Sequence, residues 1–162
     1  MKYQSLREYF YKLYALLFFL VLIPLGAFIY LYLAMRTQGF GGILNNDEFL
    51  SQTLIYVFGA VAFVDWSASF LIFSRGLKSA RTITSLGGKL DRYYALTIVR
   101  FALIISGLLV LAAGFFLIEN HVLTGLFMIS LVVLGIVWPF PSKVCNDLAL
   151  KGDERNMVLN LK

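Results

Sequence analysis

The chain has few of the residues that build metal, haem and catalytic centres. Among its 162 residues there is one histidine, His121, and one cysteine, Cys145. A bis-histidine haem site needs two histidines, a disulfide needs two cysteines, and a structural zinc site of cysteines and histidines needs four such side chains. No nucleophile, base and orienting residue stand together, and the single Gly-Gly-Lys lacks the spacing of a phosphate-binding loop. We therefore expect no cofactor, no metal site and no enzymatic activity.

Charge is also scarce. Only 14% of the residues are charged, whereas 60% are hydrophobic and 16% aromatic, which is too apolar for a soluble domain of this length. Long runs are nearly free of charge, and a helix needs about 20 such residues to cross a bilayer. The sequence predicts an all-α integral membrane protein whose four transmembrane helices form an antiparallel bundle. The spans are expected at about 13–35, 52–74, 95–118 and 121–139.

The basic residues predict how this bundle is oriented. In a four-span arrangement one side of the membrane has only Arg36, and the other side has most of the remaining basic residues. Because cytoplasmic segments carry an excess of lysine and arginine, both termini and a loop at 75–93 are expected in the cytoplasm. We expect a transmembrane domain at 1–142, a cytoplasmic tail at 143–162, and a location in a bacterial inner (plasma) membrane. The basic side comprises Lys2, Arg7, Lys12, Arg75, Lys78, Arg81, Lys89, Arg92, Lys143, Lys151, Arg155 and Lys162.

The net charge of +5 is explained by this topology and does not require a nucleic-acid partner. The basic loop is expected to contact anionic lipid headgroups, because such headgroups attract basic segments beside a membrane span. The tail combines charged with apolar side chains, and it either lies on the bilayer or docks on a partner. The residues expected to contact lipid are Arg75, Lys78, Arg81, Lys89 and Arg92.

Two charges lie inside the predicted spans, where they are expensive and are usually paired or used. At 1.5 Å per helical residue, Asp65 lies roughly 14 Å and Arg100 roughly 9 Å from the same membrane surface. We predict an ion pair between them that links the second and third helices. Gly107 and Gly114 continue the spacing of Arg100 by sevens, and small residues there permit close approach of the two helices.

Two alternatives to this ion pair remain open. In the first, Arg100 extends to the membrane interface while Asp65 bonds a nearby hydroxyl such as that of Ser67 or Ser69. In the second, Asp65 is a proton site in an ion pathway, with Arg100 nearby and with a cavity lined by Trp66, Ser69 and Gly107. A permanently paired aspartate would be a poor proton carrier.

The sequence favours a non-catalytic accessory or structural subunit that packs against other membrane proteins or lipids. Its 15 phenylalanines and 9 tyrosines suit packing better than the lining of a pore. The alternative is a small oligomeric ion- or proton-coupled transporter centred on Asp65. A third possibility is a lipid-binding protein that uses the basic loop. Membrane lipids and other integral-membrane proteins, or further copies of the chain, are the expected partners.

Overall fold

The computed structural model describes residues 5–39, 42, 44 and 48–160, and within these residues it has six α-helices and no strand. The all-helical prediction is confirmed. Lys2 and Lys162, which contribute to the topology prediction, lie outside the described residues. The helices are α1 (Leu6–Gln38), α2 (Glu48–Arg81), α3 (Leu86–Ile118), α4 (His121–Val137), α5 (Pro141–Asp147) and α6 (Gly152–Asn160).

Three of these helices are long and apolar enough to cross a membrane, and up to four if α4 and α5 count as one bent span. α1, α2 and α3 have 33, 34 and 33 residues. α4 has 17, about 25 Å at 1.5 Å per residue, and it meets α5 at a bend of 78°. Pro139 and Pro141 explain the bend, because proline cannot continue a helix without losing a backbone hydrogen bond. The chain is a helical membrane protein with three candidate spans, or four.

α3 is the central helix of the bundle. It packs along α2 over most of its length and also contacts α1 and α4, whereas α1 and α2 barely touch each other in the described part of the chain. In its most apolar stretch 56% of the residues are buried, against 17% for α1 and 11% for α2. Its core side chains include Phe101, Ile104, Leu108 and Leu111, all fully buried. The other helices therefore assemble around α3.

The bundle has two chemically different ends. At one end the Tyr9 hydroxyl donates to the Leu90 carbonyl at 3.0 Å, and the Tyr14 hydroxyl donates to the Pro139 carbonyl at 3.1 Å. We call this the basic end, since the basic residues at 75–92 and Lys143 lie there. At the other end, the loop end, the backbone N–H of Gly42 donates to the carbonyl of Phe116 at 3.3 Å. The start of α1 and the end of α4 therefore lie at the same end.

The segment predicted as a loop at 75–93 is mostly helical. α2 continues to Arg81 and α3 begins at Leu86, so that only residues 82–85 lie outside helices. Ser85 caps α3, and its hydroxyl oxygen accepts a hydrogen bond from the N–H of Gly88 at 3.3 Å. Charge marks where a helix leaves the hydrocarbon, whereas the cap marks where the helix begins, and here the two positions differ.

The tail folds back onto the basic end of its own chain. Arg81 Nε donates to the Asp147 carbonyl at 2.7 Å, and the Tyr93 hydroxyl donates to Asp147 Oδ2 at 3.0 Å. Lys89 Nζ forms an ion pair with Glu154 at 2.7 Å. These contacts join α5 and α6 to α2 and α3, an arrangement that neither sequence alternative for the tail includes. The buried apolar residues of the tail are Val144, Leu148, Leu150 and Val158.

Candidate functional site

Asp65 lies at the centre of α2, seventeen residues after Glu48 and sixteen before Arg81. Its side chain is half-buried, and its Oδ2 accepts a hydrogen bond of 2.7 Å from the hydroxyl of Ser106 on α3. Ser106 is exposed, so this bond joins α2 and α3 at the surface of the bundle. A carboxyl group and a hydroxyl therefore reach the surface midway along the longest helix.

Arg100 is held by different groups. The residue is 6% exposed, and its guanidinium carbon lies 4.5 Å from the ring centre of Phe70 and 4.4 Å from that of Phe73. Both distances are short enough for cation–π attraction. Among the described residues, Arg100 Nε is buried and has no hydrogen-bond partner. Asp147, which accepts a hydrogen bond from Tyr93 of the same helix as Arg100, contributes an opposite charge at the basic end.

The predicted ion pair between Asp65 and Arg100 is not formed in the structure. Within the described residues only two ion pairs are shorter than 4.0 Å, Lys12 with Glu8 and Lys89 with Glu154. The tail brings Asp147 to the basic end and so gives Arg100 an opposite charge there, while α3 offers Asp65 a hydroxyl. The alternative in which Asp65 bonds a hydroxyl is thus closer to the structure, although the hydroxyl belongs to α3 and not to α2.

Of the three residues predicted to line a cavity, Trp66 lines a groove, whereas Ser69 and Gly107 are buried. This groove, of about 390 Å³, lies between α2 and α4 and is otherwise apolar, with Ile55 and Leu126 among its walls. Ser69 is fully buried, and its hydroxyl donates to the Trp66 carbonyl at 2.7 Å. Gly107 packs on α2, where an added Cβ would lie 3.5 Å from the Cα of Ala62. Ser69 and Gly107 therefore serve helix packing.

The five basic residues expected to contact lipid fall into two groups. Arg75, Lys78 and Arg92 are exposed at the basic end. Arg81 and Lys89 instead bind the tail through Asp147 and Glu154. Lipid contact by these residues stays a prediction, and only Arg75, Lys78 and Arg92 have side chains that no residue of the tail engages in the described structure.

Sequence reasoning missed Ser106 as the partner of Asp65. By residue count from the turn at 82–85, Arg100 lies nearer than Ser106 to the level of Asp65, so depth alone favours the wrong partner. The face of α3 on which each residue lies determines the partner of Asp65, because Arg100 is buried whereas Ser106 is exposed. A hydroxyl on the surface face of an apolar helix was the available signal. The contact between Asp147 and the basic end depends on the fold of the tail and had no comparable signal.

Cys145 is a packing residue of the tail. It is 1% exposed, and its Sγ lies 3.9 Å from the carbonyl oxygen of Arg155 on α6. Burial raises the pKa of this thiol, which lowers the population of the reactive thiolate. Modification of the folded protein at Cys145 is therefore disfavoured.

The surface around Asp65 and Ser106 offers a proton-accepting carboxyl group and a hydroxyl within apolar helices. Such a pair can bind a hydrogen-bonding group of another membrane-embedded molecule, or it can exchange a proton. No protein-family model, no curated protein and no solved structure matches the chain.

Proposed function

We propose that this protein is a non-catalytic accessory or structural subunit of the membrane that packs through α2 and α3 against another integral-membrane protein. The observation that carries the proposal is the hydrogen bond between Ser106 and Asp65 at the surface of the bundle. Ionisable side chains within membrane spans almost always face protein or water, because hydrocarbon solvates them poorly. A second protein that covers Asp65 with a hydrogen-bond donor would satisfy it.

The remaining surface suits contact with lipid and protein. Val61 and Ile72, four residues before and seven residues after Asp65 on the same face of α2, are 41% and 44% exposed. Leu109, three residues after Ser106 on α3, is 41% exposed. Polar side chains that bond between helices strengthen association in membranes, while apolar side chains supply the packing around them. The proposed interface therefore has a polar centre, Asp65 with Ser106, within an apolar surround.

We further propose that α4 crosses the membrane as a fourth span, with both termini in the cytoplasm of a bacterial inner membrane. Two contacts support the fourth span. The ring of Phe127 on α4 stacks on that of Phe28 on α1, with 4.1 Å between the ring centres. At the basic end, the Tyr14 hydroxyl of α1 donates to the carbonyl of Pro139, just after α4. Side chains of α1 therefore reach α4 in the interior of the bundle and the segment after α4 at the basic end. The excess of basic residues at that end supports the cytoplasmic assignment.

The partner hypothesis is tested by purification from the native membrane in mild detergent, followed by quantitative mass spectrometry of the co-purifying proteins. We expect a stoichiometric membrane partner with the unaltered protein, and less of it with Asp65→Leu or Ser106→Ala. Ser74→Ala is the matched control, because Ser74 is an exposed hydroxyl that bonds only within its own helix, to the Leu71 carbonyl at 3.0 Å. Absence of a stoichiometric partner, or equal loss with Ser74→Ala, contradicts the proposal.

A transporter centred on Asp65 is the second candidate, and one observation favours it. No ion pair holds Asp65 in the described structure, and a carboxyl group bonded to a single hydroxyl can take up and release a proton. Proton flux into liposomes containing the purified protein tests this function. Asp65→Asn should abolish the flux, and Asp91→Asn, which alters an exposed acid at the basic end, should preserve it. No flux with the unaltered protein excludes this candidate.

A further inference from the structure

A groove between α1 and α4, near the loop end, is a separate feature that the proposed function does not use. Its volume is about 390 Å³, within the usual range of roughly 300 to 1,000 Å³ for small-molecule sites. The deeper part is apolar, and the part nearest the loop end has two hydroxyls. The apolar part is formed by Leu25, Phe28, Ile29 and Met128, and the hydroxyls belong to Tyr32 and Thr124.

The polar groups at the loop end have unused hydrogen-bonding capacity. Thr124 Oγ1 is buried and has no hydrogen-bond partner among the described residues. The Tyr32 hydroxyl accepts a hydrogen bond of 3.2 Å from Arg36, so its own proton remains available to another acceptor. Buried polar atoms are normally satisfied, and an unpartnered hydroxyl in the wall of a groove indicates a polar atom of a ligand.

Arg36 lies one helical turn beyond Tyr32 and carries the positive charge of this region. It is exposed, its guanidinium carbon lies 5.5 Å from the centre of the Tyr32 ring, and no described acidic side chain pairs with it. It is also the one basic residue between Lys12 and Arg75. The cation is therefore available to an anionic group at the mouth of the groove.

These groups are arranged in order of depth. Arg36 and Leu25 are eleven residues apart on α1, about 16 Å at 1.5 Å per residue, and one leaflet occupies about half of a 30 Å core. Along that distance a cation, two hydroxyls and an apolar channel follow one another. A phospholipid presents its phosphate, ester oxygens and acyl chains in the same order. The floor is well packed, since Phe28 stacks on Phe127 at 4.1 Å and contacts Phe115 at 5.1 Å.

We propose that this groove binds one phospholipid molecule from the leaflet at the loop end. Arg36 contacts the phosphate, the hydroxyls of Thr124 and Tyr32 donate to ester oxygens, and one acyl chain occupies the channel beside Phe28 and Met128. The proposal concerns a different surface from Asp65 and from the basic end. It therefore stands or falls separately from the accessory-subunit function.

The test is titration of the purified, delipidated protein with dioleoyl phosphatidylglycerol, with retained lipid counted by native mass spectrometry. We expect one tightly retained lipid per chain. Arg36→Gln should weaken binding about fivefold, as expected for loss of one basic contact at a membrane surface, whereas Arg75→Gln should not. Met128→Trp should fill the groove and abolish retention, while Ile129→Trp, at a neighbouring residue of nearly equal exposure, should preserve it; Met128 and Ile129 are 50% and 52% exposed.

Two further measurements separate specific binding from loss of structure. Thr124→Val keeps the volume of the side chain but removes the hydroxyl, and it should weaken retention while leaving the unfolding temperature within the range of the controls. Dioleoylglycerol, which lacks the phosphate, should bind the unaltered protein no better than the phospholipid binds Arg36→Gln. The proposal is overturned if the unaltered protein retains no lipid or retains both lipids equally. It is also overturned if Arg36→Gln and Arg75→Gln have equal effects, or if Met128→Trp and Ile129→Trp do.

Discussion

The two intramembrane charges are stabilised separately, each by neighbours of a different chemical kind. Asp65 accepts a hydrogen bond from Ser106, whereas Arg100 lies between the rings of Phe70 and Phe73. An ion pair would have held the two side chains against each other between α2 and α3. Without it, the carboxyl group depends on a hydroxyl at the bundle surface, and its environment changes with whatever molecule contacts that surface.

A pair of double-mutant cycles tests whether Asp65 interacts with Ser106 and not with Arg100. The cycle of Asp65→Ala with Ser106→Ala should give a coupling energy of about 0.6 kcal/mol, the average for hydrogen bonds between membrane helices. The cycle of Asp65→Ala with Arg100→Met should give a coupling near zero. Both are measured from the free energy of unfolding in mixed detergent micelles. A larger coupling energy with Arg100 than with Ser106 would show that the protein forms the ion pair between Asp65 and Arg100.

The sequence placed Asp65 and Arg100 within apolar helices but paired them with each other. Chemical type and approximate depth can be read from a run of apolar residues, and these place both charges within the second and third helices. The rotation of each helix and the path of the tail cannot be read in this way. Arg100 is within electrostatic range of Asp147 only because residues after Pro141 return to the basic end.

Contact between α2 and α3 depends on glycine at one position more than at another. A Cβ atom on Gly114 would lie 2.7 Å from the ring of Phe58, whereas on Gly107 it would lie 3.5 Å from Ala62, an ordinary contact. The sequence prediction that small residues allow close approach is realised at both glycines. Only Gly114 leaves no room for the methyl group of an alanine.

Gly114→Ala should therefore destabilise the protein by about 1 to 3 kcal/mol, since an overpacked core shifts side chains from their preferred positions. Gly107→Ala should have a much smaller effect. Gly125→Ala is the control for helix propensity alone, because nothing lies within 4 Å of a Cβ added there. The fraction of protein that stays monodisperse after heating gives the ranking. Equal loss for Gly107→Ala and Gly114→Ala would show that this packing is incorrect.

Docking of α6 makes Cys145 a reporter of the tail. Cys145 is 1% exposed and Val158 is fully buried, whereas Leu159, the residue after Val158, is 43% exposed. Val158→Asp should release α6, because an unpaired carboxylate is costly to bury, and should speed maleimide labelling of Cys145 at least about tenfold. Leu159→Asp should leave the rate unchanged. Rapid labelling of the unaltered protein would contradict the docked tail.

The bundle as a unit has its basic residues at one end, and labelling from outside the cell tests the orientation proposed from them. In a Cys145→Ser background, Thr37→Cys and His121→Cys should react with an impermeant maleimide in intact spheroplasts. Thr84→Cys and Lys151→Cys, both at exposed positions of the basic end, should react only after lysis. Labelling of Lys151→Cys in intact spheroplasts, with Thr84→Cys protected, would show that α4 does not cross the membrane.

The all-helical class and the presence of several candidate membrane spans could be predicted, because membrane crossing requires long apolar runs and such runs are visible without any tertiary information. Helix ends and the fold of the tail could not. α2 passes beyond the uncharged run that ends at Ser74 and continues to Arg81, since a helix does not need hydrocarbon to continue. The placement of α5 and α6 depends on the contacts of Tyr93 with Asp147 and of Lys89 with Glu154. The two residues of each pair are distant in sequence and meet only in the assembled bundle.

The central position of α3 also bears on how the protein is made. Because α1 and α2 barely contact each other in the described residues, these two helices have little to hold them together as they enter the bilayer. Assembly then waits for α3, whose arrival supplies a common binding surface for both. The ribosome must first synthesise the chain through Ile118, where α3 ends. Until then α1 and α2 are surrounded separately by lipid, and each can bind an insertase or associate prematurely with another chain.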